Sequence, residues 1–264
     1  MLYLYKFLHS GKDASVLNKL GLCVYISAFA LMTASCSSTS SHNESDGLES
    51  YNRAVYKFNN QFYKYVMKPV SKGYRHITTP TAREHIGNAF SNVKEPIYAV
   101  NHLLQGEVVE SGKDLARFAV NTTLGIAGTY DVAGKGWNLP KNKTGFDDTL
   151  ATWGMPDGPF IMLPFVGPST PRATAGLVAD SFANPVYWAT ANDANIHDKV
   201  YYPYVAANAV VVYESGMDVL DDLERNSVDF YTTMKSAYIQ NRNGKASDDT
   251  VSYDFGMDDE EEDY

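Results

Sequence analysis

The chain has 264 residues, 44% of them hydrophobic, and a net charge of −9. Its acids crowd the end: positions 245–264 carry nine acids against one Lys, whereas 36–244 carries 18 basic and 21 acidic residues. A near-neutral body excludes a basic nucleic-acid face and simple electrostatic docking on anionic lipid.

From the N-terminus, Lys6, Lys12 and Lys19 precede an apolar run over 20–32, closed by Thr33, Ala34, Ser35 and then Cys36. A basic flank, a short apolar run and a small-residue junction form a secretory signal peptide. A cysteine at the first mature position is the bacterial lipoprotein pattern, in which the thiol carries lipid; the alternative is an ordinary signal peptide cut elsewhere. Cys23, the other cysteine, lies within the leader, so a lipidated Cys36 leaves no thiol for an internal disulfide. Ser37 fits delivery to the outer membrane. The expected organisation is a signal peptide over 1–35, a lipidated flexible tether over 36–47, a helical domain over 48–243 and an acidic disordered tail over 244–264.

Leu48, Tyr51, Val55, Phe58, Phe62 and Tyr65 recur at helical spacing and predict a first helix, capped near Asp46 and ended by Pro69. A second begins at Thr79-Pro80 and carries the stripe Ile86, Phe90, Val93, Ile97, Val100 and Leu104. It is kinked or broken at Pro96 and closes at Gly106. The stretch 107–122 reads as a third helix, with Val108, Leu115, Phe118 and Ala119 on its apolar side. The run 160–166 is strongly apolar, too short to span a bilayer and, with Pro164, no ordinary central strand. Ser169-Thr-Pro-Arg172 predicts the start of a further helix, and two more fall near 201–224 and 227–241.

The fold class is therefore mainly α, a single helical domain with long Gly/Pro-rich loops. Past the leader, no segment has 18 consecutive apolar residues, so no hydrophobic helix crosses a bilayer. The 19 Tyr, 12 Phe and 3 Trp suit a surface with one wet and one greasy side. The apolar stripes are either core or surfaces for acyl chains.

The sequence offers no convincing catalytic constellation: no Gly-x-Ser-x-Gly elbow, no phosphate-binding Gly-Lys-Ser/Thr loop and no His-Glu-x-x-His. His76, His85, His102 and His197 lack zinc-ligand spacing, and neither a metal nor a cofactor is expected. Asp147 and Asp148 serve either as an acid/base pair or as helix caps, and Asp131 holds backbone in a turn-rich segment. Arg172, near a helix start, meets either a lipid phosphate or an acidic side chain.

Several short motifs occur in a fixed order. Leu48-Glu-Ser-Tyr-Asn-Arg53 with Phe58-Asn59 is followed by Pro69-Val70, Tyr74-Arg75 and Glu95-Pro96. Asn101-x-Leu-Leu-Gln-Gly106, Arg117-Phe118 and Asn121-Thr-x-Leu-Gly125 come next, then Asp131-Val-Ala-Gly134. Phe146 through Gly154, Gly158-Pro-Phe160, Leu163-Pro-Phe165 and Arg172 complete the series. Together they resemble the MlaA (VacJ) family of outer-membrane phospholipid-transport lipoproteins, from Leu48 to Arg242. The resemblance implies a ring-like helical body embedded in one leaflet of the outer membrane, facing the periplasm and lipid-anchored. It implies an amphipathic channel that removes mislocalised phospholipids from the outer leaflet and passes them to an MlaC-type periplasmic carrier. Trimeric porins are the implied protein partners; nucleic acid is not one. Two alternatives are a scaffolding envelope lipoprotein associated with porins and an envelope lipid hydrolase. Under the channel reading, Tyr130, Trp153, Phe160, Ile161, Met162, Leu163, Phe165 and Val166 are wall candidates. Gly125, Gly128, Gly134 and Gly136 are hinge candidates, chosen for glycine next to apolar residues. Arg172 is the candidate headgroup contact.

Overall fold

The first helix does not stop where proline should stop it. In the computed structural model, which describes residues 48–247, α1 (Glu49–Phe62) runs through a π-helical turn (Tyr63–Met67) into α2 (Lys68–Ile77). The leader, Cys36, the tether and the acidic tail lie outside the described residues. A proline ring lacks an N–H and clashes with the carbonyl four residues back. Here Lys68 N–H reaches Tyr63 O, five residues back, and the wider turn takes up that clash.

α3 (Pro80–Gln105) begins at the predicted cap, where Thr79 Oγ1 accepts the Ala82 N–H at 3.2 Å, and ends at Gly106 with φ 85°. It passes Pro96 without a break. α4 (Val108–Thr123) folds back along it. Short helices α5 (Val132–Trp137) and α6 (Phe146–Thr152) lead to an antiparallel hairpin, β1 (Ile161–Leu163) and β2 (Gly167–Ser169), with Met162 opposite Pro168. α7 (Pro171–Ala183) is capped by Thr170, as its sequence signals, and α8 (Pro185–Thr190) follows. α9 (Ala194–Asn226) starts earlier than the expected 201, because Asp193 caps it and Pro203 sits inside it. α10 (Phe230–Ser247) closes the described chain.

Polarity runs inside-out. Among the described residues, two small apolar clusters are buried: Tyr63, Met67 and Met217 join the first long helix to α9, and Phe160, Met162 and Tyr231 join the hairpin to α10. Much of the remaining interior is polar. α4 buries Ser111, Asp114, Arg117 and Asn121, while Val108, Val109 and Leu115 are exposed. α3 buries Asn92, Glu95, Asn101 and His102 and exposes Val100, Leu103 and Leu104. The expected apolar side of α4 therefore largely faces outward. A water-exposed helix arranges itself the other way; polar groups turn inward where partners satisfy them.

His102 illustrates such a partnership. Its Nδ1 lies 2.6 Å from Asp114 Oδ2, and its Nε2 lies 3.6 Å from Glu107 Oε2. Burial alone favours the neutral ring, but the Asp114 hydrogen bond, with Glu107 and Glu110 nearby, holds the imidazole above its ordinary 6.5. A raised folded value makes this stabilisation full at acidic pH and lost as pH rises through that value. Thermal melts should show stability falling on the alkaline side of pH 6.5, a slope that His102→Gln flattens. An equal slope in that variant would remove His102 as its source.

Candidate functional site

Two asparagines one heptad apart on α1 hold the hairpin. Asn52, 2% exposed, donates from Nδ2 to Phe160 O at 3.1 Å and accepts the Met162 N–H at 2.7 Å. Asn59 repeats the device at the turn, donating to Leu163 O at 2.8 Å and accepting the Phe165 N–H at 2.8 Å. Each side-chain amide supplies one donor and one acceptor, as a neighbouring strand would. The turn residue Phe165 adopts φ 64°, left-handed and costly for a bulky side chain. Tyr213 donates its hydroxyl to Phe165 O at 2.8 Å, and the Phe165 ring packs edge-on against Phe58 and Phe62.

Between α1, the hairpin, α9 and α10 lies a cleft of about 130 Å³. Met162, Val166, Pro168, Leu220 and Met234 give it apolar walls, and Tyr56, Asn60 and Glu224 give it polar edges. Such a mixture accommodates a ligand that is apolar at one end and polar at the other.

A second cluster is buried and ionic. Arg117, 1% exposed, donates Nε to Glu95 Oε1 at 3.0 Å, Nη2 to Asp131 Oδ1 at 3.2 Å, and Nη1 to the Leu139 carbonyl. Burial raises the Glu95 carboxyl against the pull of Arg117. Burial also drives Lys141 below its ordinary value, with Lys143 adding to the effect. Asp131 is held low despite its burial, because Asn121, the Gly134 N–H and Arg117 all bond it. This cluster fastens the connection that leads from α4 to α6.

The MlaA lipoprotein family profile matches residues 44–245. The chain belongs to the MlaA lipoprotein family. It is 34% identical over 227 residues to the intermembrane phospholipid transport system lipoprotein MlaA of Escherichia coli K12, covering 81% of this chain and 86% of that one. It is also 34% identical over 197 residues to an uncharacterized protein of Rickettsia felis, covering 73% and 74% respectively. A solved structure, described as the structural basis for maintenance of bacterial outer membrane lipid asymmetry, is similar with a TM-score of 0.63. The two are 30% identical, and the match covers 77% of this chain and 100% of the other.

Within this family member, the expected wall residues fall into two groups. Tyr130, Trp153, Phe165 and Val166 are exposed, and Leu163 is half-buried. Phe160, Ile161 and Met162 are buried; Phe160 packs edge-on against Tyr231 and Tyr238 and shares a cluster with Met162, and of the three only Met162 borders the cleft. Their run reads as a greasy wall in sequence because a buried strand and a lipid-facing one have the same composition.

The hinge expectation is corrected. Gly134 and Gly136 lie inside α5. A side chain at Gly125 would collide with the Tyr130 and Asn121 carbonyl oxygens, so close packing explains that glycine. Ile126, Ala127 and Gly128 are consecutively left-handed, and His85 and Asn88 pin the loop through Thr129 O. The Arg172 expectation is corrected as well. Its guanidinium is spoken for by Asp147 at 2.9 Å, Asp157 at 2.8 Å and Met155 O at 2.7 Å, and Arg242 joins the same two acids. Asp147 is thus an ion-pair centre, whereas Asp148 caps α6 by accepting the Gly145 N–H at 3.2 Å. Sequence reasoning quoted Asn52 and Asn59 only as members of the family-like motifs and gave them no role; their seven-residue spacing on one helix side was the available signal.

Proposed function

We propose that this chain is an outer-membrane lipoprotein that removes mislocalised phospholipids from the outer leaflet and passes them to a periplasmic carrier, keeping the membrane asymmetric. The reading includes cleavage of a 1–35 leader, lipid on Cys36, a 36–47 tether, a ring-like 48–243 body seated in the inner leaflet, and an acidic tail. Trimeric porins and an MlaC-type carrier are its proposed protein partners. The work is transfer of lipid without covalent chemistry: a polar route spares the headgroup the cost of crossing bare hydrocarbon.

Family membership supports this reading, and one structural observation carries it: α3 and α4 turn charged and amide side chains inward and expose Val100, Leu103, Leu104, Val108, Val109 and Leu115, while Ile97, Ala99 and Val120 remain buried. No described helix is long and apolar enough to cross a membrane. Helices that satisfy their own backbone and expose Val100, Leu103, Val108 and Val109 suit a position within one leaflet. α9 continues the theme with Val205, Val212 and Val219 exposed at seven-residue intervals. Channel-wall candidates on this reading are the exposed Tyr130, Trp153, Phe165 and Val166, with Leu163 beside them.

Two measurements test it. Deleting the gene should raise outer-leaflet phospholipid, and the full chain should restore it; normal surface lipid in the deletion strain sinks the transport reading. Separately, a Cys36→Ala chain should still partition into membranes through its body, and adding Leu103→Asp with Val109→Asp should release it, since each aliphatic side chain contributes about 1.5–3 kcal/mol in an apolar environment. Partitioning that ignores both substitutions would contradict the leaflet placement.

A further inference from the structure

We propose that the mouth of the cleft selects phospholipids bearing a zwitterionic amine headgroup, with Lys64 meeting the phosphate and Glu224 the ammonium. The proposal rests on the lipid-transport reading and names its substrate class.

Glu224 lies on the polar edge of the cleft, and Lys64 Nζ sits 2.7 Å from its Oε1, with the two side chains 44% and 29% exposed. Partly exposed ion pairs contribute little to stability, so stability gives this pair little purpose. Opposite charges at hydrogen-bond distance match the phosphate and ammonium of an ethanolamine headgroup. Each side chain can exchange its present partner for the complementary half of the zwitterion, with no net change in charge. An anionic headgroup without an amine would leave Glu224 facing a phosphate.

The neighbouring groups favour the same occupant. Asn60 Nδ2 lies 3.4 Å from the Tyr56 hydroxyl and 3.5 Å from Glu224 Oε1, both at the outer limit of a hydrogen bond. That amide can turn to a phosphate oxygen at little cost. Two other acids of α9 are more firmly engaged. Asp221 is held by Lys68 at 2.7 Å and by the Tyr63 hydroxyl at 3.0 Å, and Glu214 by Arg75 at 2.7 Å and Arg83 at 3.2 Å. Glu224 has one cation and one long amide contact. Leu220, Met162 and Met234 line the apolar wall of the same cleft, whose volume of about 130 Å³ takes the first few methylenes of an acyl chain.

The test offers purified full-length protein vesicles of equal phosphatidylethanolamine and phosphatidylglycerol and weighs the bound lipid by mass spectrometry. The parent should be enriched in phosphatidylethanolamine. Glu224→Lys, which makes the mouth doubly cationic, should move the ratio toward phosphatidylglycerol by about tenfold, the equivalent of about 1.4 kcal/mol. Lys64→Glu, doubly anionic, should lower loading of both. Helical circular dichroism confirms that these rim variants stay folded. Bound lipid with an unaltered ratio in Glu224→Lys overturns the headgroup assignment and leaves transport standing. A parent that binds neither lipid overturns both.

Discussion

Arg117→Met should destabilise the protein by about 3–5 kcal/mol, the range for stranding one partner of a buried ion pair. The guanidinium is 1% exposed and serves Glu95, Asp131 and the Leu139 carbonyl at once. Methionine fills similar volume but supplies no donor. Glu95, 0% exposed, already has one oxygen, Oε2, without a partner, and would then lose its cation. Asp131 fares better, since the Asn121 amide and the Gly134 N–H still hold it at 2.8 and 3.0 Å. The damage should therefore centre on Glu95, and Arg117→Met with Glu95→Gln should recover much of the loss. Removing both charges costs less than leaving one buried. Denaturant melts of the two variants in the same detergent make the comparison. A single variant within about 0.5 kcal/mol of the parent would show that the cluster carries no such energy. Hydrogen exchange adds a local readout: amides between Asp131 and Leu139 should exchange faster once Arg117 no longer fastens that connection.

The same cluster shows what sequence reading reaches. Caps and stops with local chemistry were legible: Thr79 and Thr170 cap α3 and α7, and Gly106 ends α3. Pro69 and Pro96 misled, because whether a proline breaks a helix depends on how neighbouring turns adjust, and at Pro69 a π turn does so. Helix existence survived this, since 3.6-residue periodicity is local. Which side of each helix faces inward was not legible. Ser111, Asp114, Arg117 and Asn121 form as clean a stripe as Val108 and Leu115, and periodicity reports a two-sided helix without saying what solvent each side meets. A resemblance to the family supplied that missing environment. For the candidate site, the sequence singles out Phe165 and Val166, which are exposed at the turn, but the partners that shape the cleft lie far apart in sequence. Asn59 reaches Leu163, and Lys64 reaches Glu224; neither pairing leaves a local mark.

Asn52→Ala should lower stability by about 3 kcal/mol, because it strands two buried backbone groups together. In a domain of this size that corresponds to a fall in melting temperature of roughly 6–12 °C. Alanine keeps the helix, so the loss reads mainly the hairpin contact, with a smaller part from the Asn52–Tyr231 interaction. The Phe160 carbonyl loses its donor and the Met162 N–H its acceptor, at a place water does not reach, since Asn52 is 2% exposed and Met162 0%. Asn59→Ala should cost less, because the Phe165 end of its bridge is exposed and water replaces the amide there. Asn52→Asp separates the two halves of the contact. It keeps an acceptor for Met162 N–H but points a carboxylate oxygen at the Phe160 carbonyl, so at neutral pH it should be no more stable than alanine. Protonating that carboxyl restores a donor. Its folded value must then lie above the ordinary carboxylate value of about 3.9, and its stability deficit should shrink as pH falls through that raised value. An Asn52→Asp deficit that is flat across acidic pH would mean that Phe160 O does not need a donor from α1. The hairpin would then be held by the packing of Phe160 and Met162 against Tyr231, and the asparagine bridge would set only its register.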